Sequence, residues 1–156
     1  MAYAALDSDE IFLADDDVNL CDALSSKLSG AGFRTTTFTK VADFLDVARR
    51  RTPACVILDV FMPERSGIDL VNDISGKKYP APIIVMTAKA TVPMAVEAVK
   101  NGAFDIIEKP FNPDDFVERI RGTIDRWRQS TKNDLTSAPL SMDFPGAQRL
   151  TSREKD

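Results

Sequence analysis

The chain contains no histidine. That absence excludes Ser-His and Cys-His catalysis within it, and any phosphohistidine in its chemistry has to come from a partner. Cysteine is scarce, with Cys21 and Cys55 the only two among 156 residues. Without imidazole and with so few thiols, the usual zinc ligand sets cannot be assembled. Cys21 falls on an expected helix and Cys55 opens an apolar strand, so both read as small buried hydrophobes rather than a disulfide pair. Positive charge is in deficit: 20 Lys and Arg stand against 24 Asp and Glu, for a net charge of −4. This argues against the chain gripping a nucleic-acid backbone unaided. No apolar stretch approaches the roughly 20 residues of a membrane span. No cationic segment followed by an apolar core opens the chain, so no signal peptide is expected. The expected location is cytoplasmic.

What the chain does have is a set of short apolar runs that stop abruptly at polar residues. Ile11-Phe12-Leu13-Ala14 ends at Asp15-Asp16, Val56-Ile57-Leu58 at Asp59, and Ile83-Ile84-Val85-Met86 at Thr87. Phe104-Asp105-Ile106-Ile107 leads to Lys109-Pro110. Runs of this length, spaced by helix-length segments, read as buried parallel strands. Residues 34–38, alternating and rich in Thr, supply one more strand. Between the strands, Val18, Leu20, Ala23, Leu24 and Leu28 recur at helical spacing before Gly30 and Gly32. Thr39 is expected to cap a second helix carrying Val41, Phe44, Leu45 and Ala48. Ile68, Leu70, Val71 and Ile74 mark a third helix. Pro93 begins a fourth, closed by Asn101-Gly102, and Asn112 caps a fifth with Pro113 at its first position. On that last helix Phe116, Ile120, Ile124 and Trp127 form the apolar stripe, while Arg119, Arg121, Arg126 and Arg128 face elsewhere.

The tally predicts an α/β fold: a (βα)5 doubly wound, parallel, five-stranded sheet in the strand order 2-1-3-4-5. The expected domain spans residues 8–131. Residues 132–147 lose periodicity and read as a linker. Thr151 with Glu154 three residues later is a capping-box pattern, so a helix is expected to begin in 148–156.

In an open parallel sheet, ligands bind at the carboxyl ends of the strands. Three carboxylates (Asp15, Asp16 and Asp59), the Thr87 hydroxyl and the Lys109 ammonium are therefore expected to converge there. Gathering like charges raises a cost that a cation offsets. Mg²⁺ suits the task, because it takes a few carboxylates, keeps its waters and bridges to phosphate. Asp59 reads as a nucleophile that becomes an acyl phosphate. Thr87 can hydrogen-bond a phosphoryl oxygen, and Lys109 can neutralise another. The bland alternatives are a strand-end cap for Asp59 and a surface lysine for Lys109. Asp17 reads as a helix cap and nothing more. Pro110 restrains the backbone after Lys109 and is a candidate for a cis bond.

Ala14-Asp15-Asp16-Asp17, Leu58-Asp59-Val60-Phe61-Met62-Pro63 with Gly67, Val85-Met86-Thr87-Ala88 and Glu108-Lys109-Pro110-Phe111 occur in that order. Together they resemble the receiver domain of two-component response regulators, the CheY-like, flavodoxin-like fold. The segment Val92-Pro93-Met94-Ala95-Val96-Glu97-Ala98-Val99-Lys100 resembles the FixJ/NarL-type branch. Arg149-Leu150-Thr151-Ser152-Arg153-Glu154 resembles the opening of a LuxR-type helix-turn-helix. The resemblance implies that Asp59 is the phosphoacceptor and that Asp15, Asp16, Asp59 and the Phe61 backbone carbonyl hold Mg²⁺. It implies that Thr87 and Lys109 sense the phosphoryl group. One position departs: where many receivers carry a Phe or Tyr three residues before the lysine, this chain has Ile106. Phe61 and Lys89 stand where side chains flank the phosphoryl group.

The same resemblance implies a sensor histidine kinase as donor. It implies a switch of the face formed by 94–107, and a homodimer on phosphorylation. DNA would be met only through a C-terminal domain beginning at 148–156 and continuing past the end of this sequence. Two rivals stand beside this expectation. One is a stand-alone receiver acting on a protein target. The other is a metal-dependent phosphohydrolase, against which Phe61 occupies the place where many such enzymes carry a second Asp.

Overall fold

The computed structural model describes residues 9–74 and 76–132. Five strands, β1 (Glu10–Ala14), β2 (Arg34–Phe38), β3 (Cys55–Asp59), β4 (Ile83–Thr87) and β5 (Asp105–Glu108), form one sheet in the order β2-β1-β3-β4-β5. All four pairings are parallel. The helices are α1 (Val18–Gly30), α2 (Val41–Arg50), α3 (Gly67–Asp73), α4 (Val92–Asn101) and α5 (Pro113–Lys132), with a 3₁₀ turn at Gly76–Lys78. The expected fold and strand order are those observed. α5 runs through Lys132, one residue into the expected linker. The rest of that linker and the expected helix start at 148–156 lie outside the described residues.

Successive side chains of a strand point to opposite faces, and the central strands are apolar at every position because both faces are covered. Phe12 and Ala14 of β1 join Val56 and Leu58 of β3 in one core, beneath Phe44 of α2, Leu70 and Val71 of α3 and Ala98 of α4. Ile11 and Leu13 join Ile57, Ile84 and Met86 on the other face, against Leu24 and Leu28 of α1 and Phe116, Ile120 and Ile124 of α5. Each such large aliphatic or aromatic side chain contributes roughly 1.5–3 kcal/mol when withdrawn fully from water. Phe38 extends the first core as an edge-on neighbour of both Phe12 and Phe44. Cys21 and Cys55 are free and buried, as expected of small hydrophobes.

Helix starts follow the polar residues, with one correction. Asp17 caps α1 by accepting from the Leu20 amide, and Asn112 caps α5 by accepting from the Asp114 and Asp115 amides. Thr91 caps α4 by accepting from the Met94 amide, ahead of Pro93. Thr39 was expected to cap α2, but the cap position falls to Lys40, which makes no side-chain cap bond. The chain leaving β2 turns one residue later than the Thr signal suggests. α4 ends at Gly102, whose φ of 119° is a left-handed conformation that a side chain would resist. Among the described residues, no helix is long and apolar enough to cross a membrane.

α1 and α3 leave β1 and β3 toward opposite faces of the sheet. The strand order reverses between those two strands, which opens a crevice at their carboxyl ends. That crevice is where the polar residues gather.

Candidate phosphoryl and cation site

Register alone brings the strand-end residues together. Ala14 pairs with Leu58, Asp59 with Met86, and Thr87 with Glu108. The residues at or just past those positions are Asp15, Asp59, Thr87 and Lys109. Ligand oxygens of Asp15, Asp16 and Asp59 all lie within 4.8 Å of one another. Asp15 is 1 % exposed and Asp59 is 6 % exposed, whereas Asp16 faces solvent. Lys109 reaches into this group from beyond β5: its Nζ lies 2.9 Å from Asp15 Oδ2 and 3.3 Å from Asp59 Oδ1.

The electrostatics follow from that crowding. Burial, then the neighbouring Asp15 charge, hold the Asp59 carboxyl above its usual value, against the pull of Lys109 and of a backbone hydrogen bond from Phe61. Burial would lower the Lys109 ammonium, but its bond to Asp15 and the two carboxylate charges outweigh that and keep it above its ordinary value. Two of the three carboxylates thus share one ammonium, and Asp16 beside them has none among the described residues. A gathering so short of positive charge fits a divalent cation, and its all-oxygen donors suit Mg²⁺ in kind.

Every other candidate residue is found at the same edge. Thr87 is fully buried, and its Oγ accepts from the Lys89 amide at 3.1 Å. Among the described residues it makes no hydrogen bond to the carboxylates. Its carbonyl accepts from the Lys109 amide at 2.7 Å, which ties the end of β4 to the residue that supplies the ammonium. The Lys109–Pro110 bond is cis. Phe61 is 59 % exposed at the mouth of the crevice. Ile106, in place of an aromatic, is half-buried against the core on the α2–α3–α4 face.

Sequence reasoning missed several supports. The Cys21 thiol lies 3.4 Å from the Asp15 carbonyl oxygen, and burial with the Asp15 charge pushes that thiol up to about 11. The Asp17 amide donates to Asp15 Oδ1 at 3.0 Å, so this residue does more than cap a helix. Ser66 caps α3, and Gly67 packs on the Asp59 backbone. A thiol seven residues after a strand and a glycine eight residues after a carboxylate leave no periodic signal. Only their folding together shows what they touch.

Fold and site together define the class: this chain belongs to the response regulator receiver domain family, whose pattern matches residues 11–121. It is a signalling domain of two-component systems. Among its relatives is the transcriptional regulatory protein FixJ of Bradyrhizobium diazoefficiens, 36 % identical over 131 residues, which are 84 % of this chain and 64 % of that protein. The fold is also that of a CheY-like receiver domain from Methanospirillum hungatei, with a TM-score of 0.72 at 22 % identity over 78 % of this chain and 97 % of that one. A beryllofluoride-activated NtrC4 receiver domain, solved in solution as a dimer, superposes with a TM-score of 0.71 at 25 % identity, over 76 % of this chain and 98 % of that one.

Proposed function

We propose that Asp59 accepts a phosphoryl group from a phosphohistidine on a partner kinase. Asp15, Asp16, Asp59 and the Phe61 carbonyl would hold Mg²⁺. When bound, the cation screens the repulsion between the Asp59 carboxylate and the incoming phosphoryl oxygens. The Asp59 carboxylate oxygen attacks phosphorus, the bond from phosphorus to the donor nitrogen breaks, and the histidine leaves with the electron pair. An acyl phosphate remains. Lys109, already at the Asp59 carboxylate, neutralises a phosphoryl oxygen, and the Thr87 hydroxyl turns to donate to another. The observation that carries this reading is the gathering of three carboxylates around one ammonium at the strand-order reversal.

The output follows from the same edge. Thr87 and Lys109 end β4 and follow β5, so a new anion between them biases the face formed by α4 and β5, including Met94 and Ile106. We assign phosphorylation-dependent homodimerisation to that face. Support comes from the exposed Val92 and Val96 on α4 and from the dimeric state of the NtrC4 receiver. With Ile106 at the usual aromatic position, the Thr87 hydroxyl rather than a ring carries the signal. The chain spans 64 % of the length of FixJ. Transcriptional control, and DNA contact through a domain that starts at 148–156, are accordingly proposed for a longer protein acting in the cytoplasm.

The test is chemical trapping. After incubation with acetyl phosphate and Mg²⁺, borohydride reduction should convert residue 59, and no other carboxylate, to homoserine. Reduction elsewhere, or nowhere, would remove Asp59 from the role.

A further inference from the structure

Gly67 is the glycine whose missing side chain is filled by the site itself. A Cβ built there would lie 2.3 Å from the Asp59 carbonyl oxygen, 2.9 Å from its carbonyl carbon and 3.0 Å from Val60 Cα. These are backbone atoms of the acceptor residue and its neighbour, and none of them can rotate aside. At Gly30 and Gly122 the same construction meets nothing within 4 Å. Gly67 is required for space and not for an unusual backbone angle.

The contact closes a small frame around the strand end. The Val60 amide donates to the Met86 carbonyl at 2.9 Å, which holds the chain to β4. The Gly67 amide donates back to the Val60 carbonyl at 2.7 Å. Phe61 and Ser66 form an antiparallel bridge across the intervening loop, and Ser66 Oγ accepts from the Ile68 amide at 3.0 Å. The Asp59–Val60 peptide is therefore gripped by β4 through Val60 and pressed by the first turn of α3 through Gly67. Phe61, whose carbonyl is the proposed fourth cation donor, is the next residue inside the frame.

We propose that Gly67 is a positioning residue: its direct seat on the Asp59 backbone sets the distance between the Asp59 carboxylate and the Phe61 carbonyl, and so tunes cation affinity. This rests on the proposed Mg²⁺ site. It adds that the cation's donors are placed by α3, an element carrying no donor of its own. A methyl group at 67 drives α3 and the strand end apart and spreads the donors. A small, hard cation with strict geometric demands registers such a change directly.

The test is calorimetric titration of the purified chain with magnesium chloride, with folding checked by far-ultraviolet circular dichroism. Gly67→Ala should fold and bind Mg²⁺ at least tenfold more weakly than wild type. Ser66→Ala weakens the same helix end but leaves the seat intact, and should bind within about twofold of wild type. Equal Mg²⁺ affinity in folded Gly67→Ala would overturn the proposal, as would an equal loss in Ser66→Ala. If Gly67→Ala does not fold in buffer, it is titrated beside wild type in trimethylamine N-oxide, which favours the compact state by its exclusion from protein surface. The same tenfold deficit there supports the proposal, and equal affinity overturns it. A wild-type chain that binds no Mg²⁺ would remove the proposed cation site itself, an outcome distinct from the failure of Gly67 alone.

Discussion

Two carboxylate clusters sit on or beside β5, and they are balanced in opposite ways. At the start of the strand, Asp105 stands alone among cations. Its side chain is 9 % exposed and accepts from Arg119 at 2.9 and 3.0 Å and from Arg126 at 3.3 Å, with the Thr123 hydroxyl also at 3.3 Å. Its own carboxylate also accepts from the Ile106 amide, and Arg119 donates to the Ile106 carbonyl. Arg126 lies over the Phe104 ring as well. Just beyond the other end of the strand, Lys109 stands alone among Asp15, Asp16 and Asp59.

One carboxylate held by two guanidiniums has nothing left to bind. It caps the peptide group of an edge strand and joins that strand to α5, which is a structural task. Three carboxylates around one ammonium keep acceptors unpaired and repel one another, a cost that a bound cation would offset. The sign of the imbalance separates the scaffold from the site. The Asp105 bond, in turn, holds the Arg119 guanidinium above its ordinary value.

Breaking the closed cluster should cost the most stability. Asp105→Ala strips Arg119, Arg126 and Thr123 of their acceptor and uncovers the Ile106 amide. Both arginines are about half exposed and rehydrate, so the loss should be roughly 2 kcal/mol rather than the larger penalty of a fully buried broken pair. Urea unfolding should show it, while Mg²⁺ affinity stays at the wild-type value.

The open cluster should respond in the reverse sense. Asp16 is exposed and makes no hydrogen bond or ion pair among the described residues, so Asp16→Asn removes repulsion without removing a contact. The variant should unfold at the same urea concentration as wild type or higher, yet bind Mg²⁺ at least tenfold more weakly by calorimetry. Weaker folding with unchanged Mg²⁺ binding would place Asp16 with the scaffold instead.

A smaller effect comes from Glu10 at the amino end of the sheet, a third and nearly balanced arrangement. Burial would raise its carboxyl, but hydrogen bonds from Arg51 and Thr36 outweigh that and leave it below its usual value of 4.5. The unfolded chain therefore takes up the proton first on acidification. The contribution of Glu10 is complete above that usual value and is lost as pH falls through the lowered folded value. Glu10→Gln should be less stable than wild type near neutrality and should converge with it as pH falls through the lowered folded value, read as thermal midpoints across the acid range.

Most of the scaffold was legible in the sequence. Continuous runs such as Ile83-Ile84-Val85-Met86 carry their burial on both faces, and each stops at the polar residue that enters the site. The convergence of Asp15, Asp59, Thr87 and Lys109 then follows from parallel topology alone. What stayed hidden depends on contacts between distant residues. Periodicity put Arg119 and Arg126 off the apolar stripe of α5 but could not show that Asp105 waits for both. A glycine after Met62-Pro63 belongs to a motif, yet only the fold shows that it sits on the Asp59 carbonyl. The misplaced cap of α2 has a local cause: Thr39 and Lys40 are adjacent, and the exit angle of β2 chooses between them.

The central claim is that the cation-poor cluster exists to accept a phosphoryl group at Asp59. Intact-protein mass after incubation with acetyl phosphate tests it most directly, with and without Mg²⁺, for wild type and Asp59→Asn. A gain of one phosphoryl group that requires Mg²⁺ and disappears in Asp59→Asn is the expected result. No gain under any condition, or an equal gain in the variant, would contradict the account.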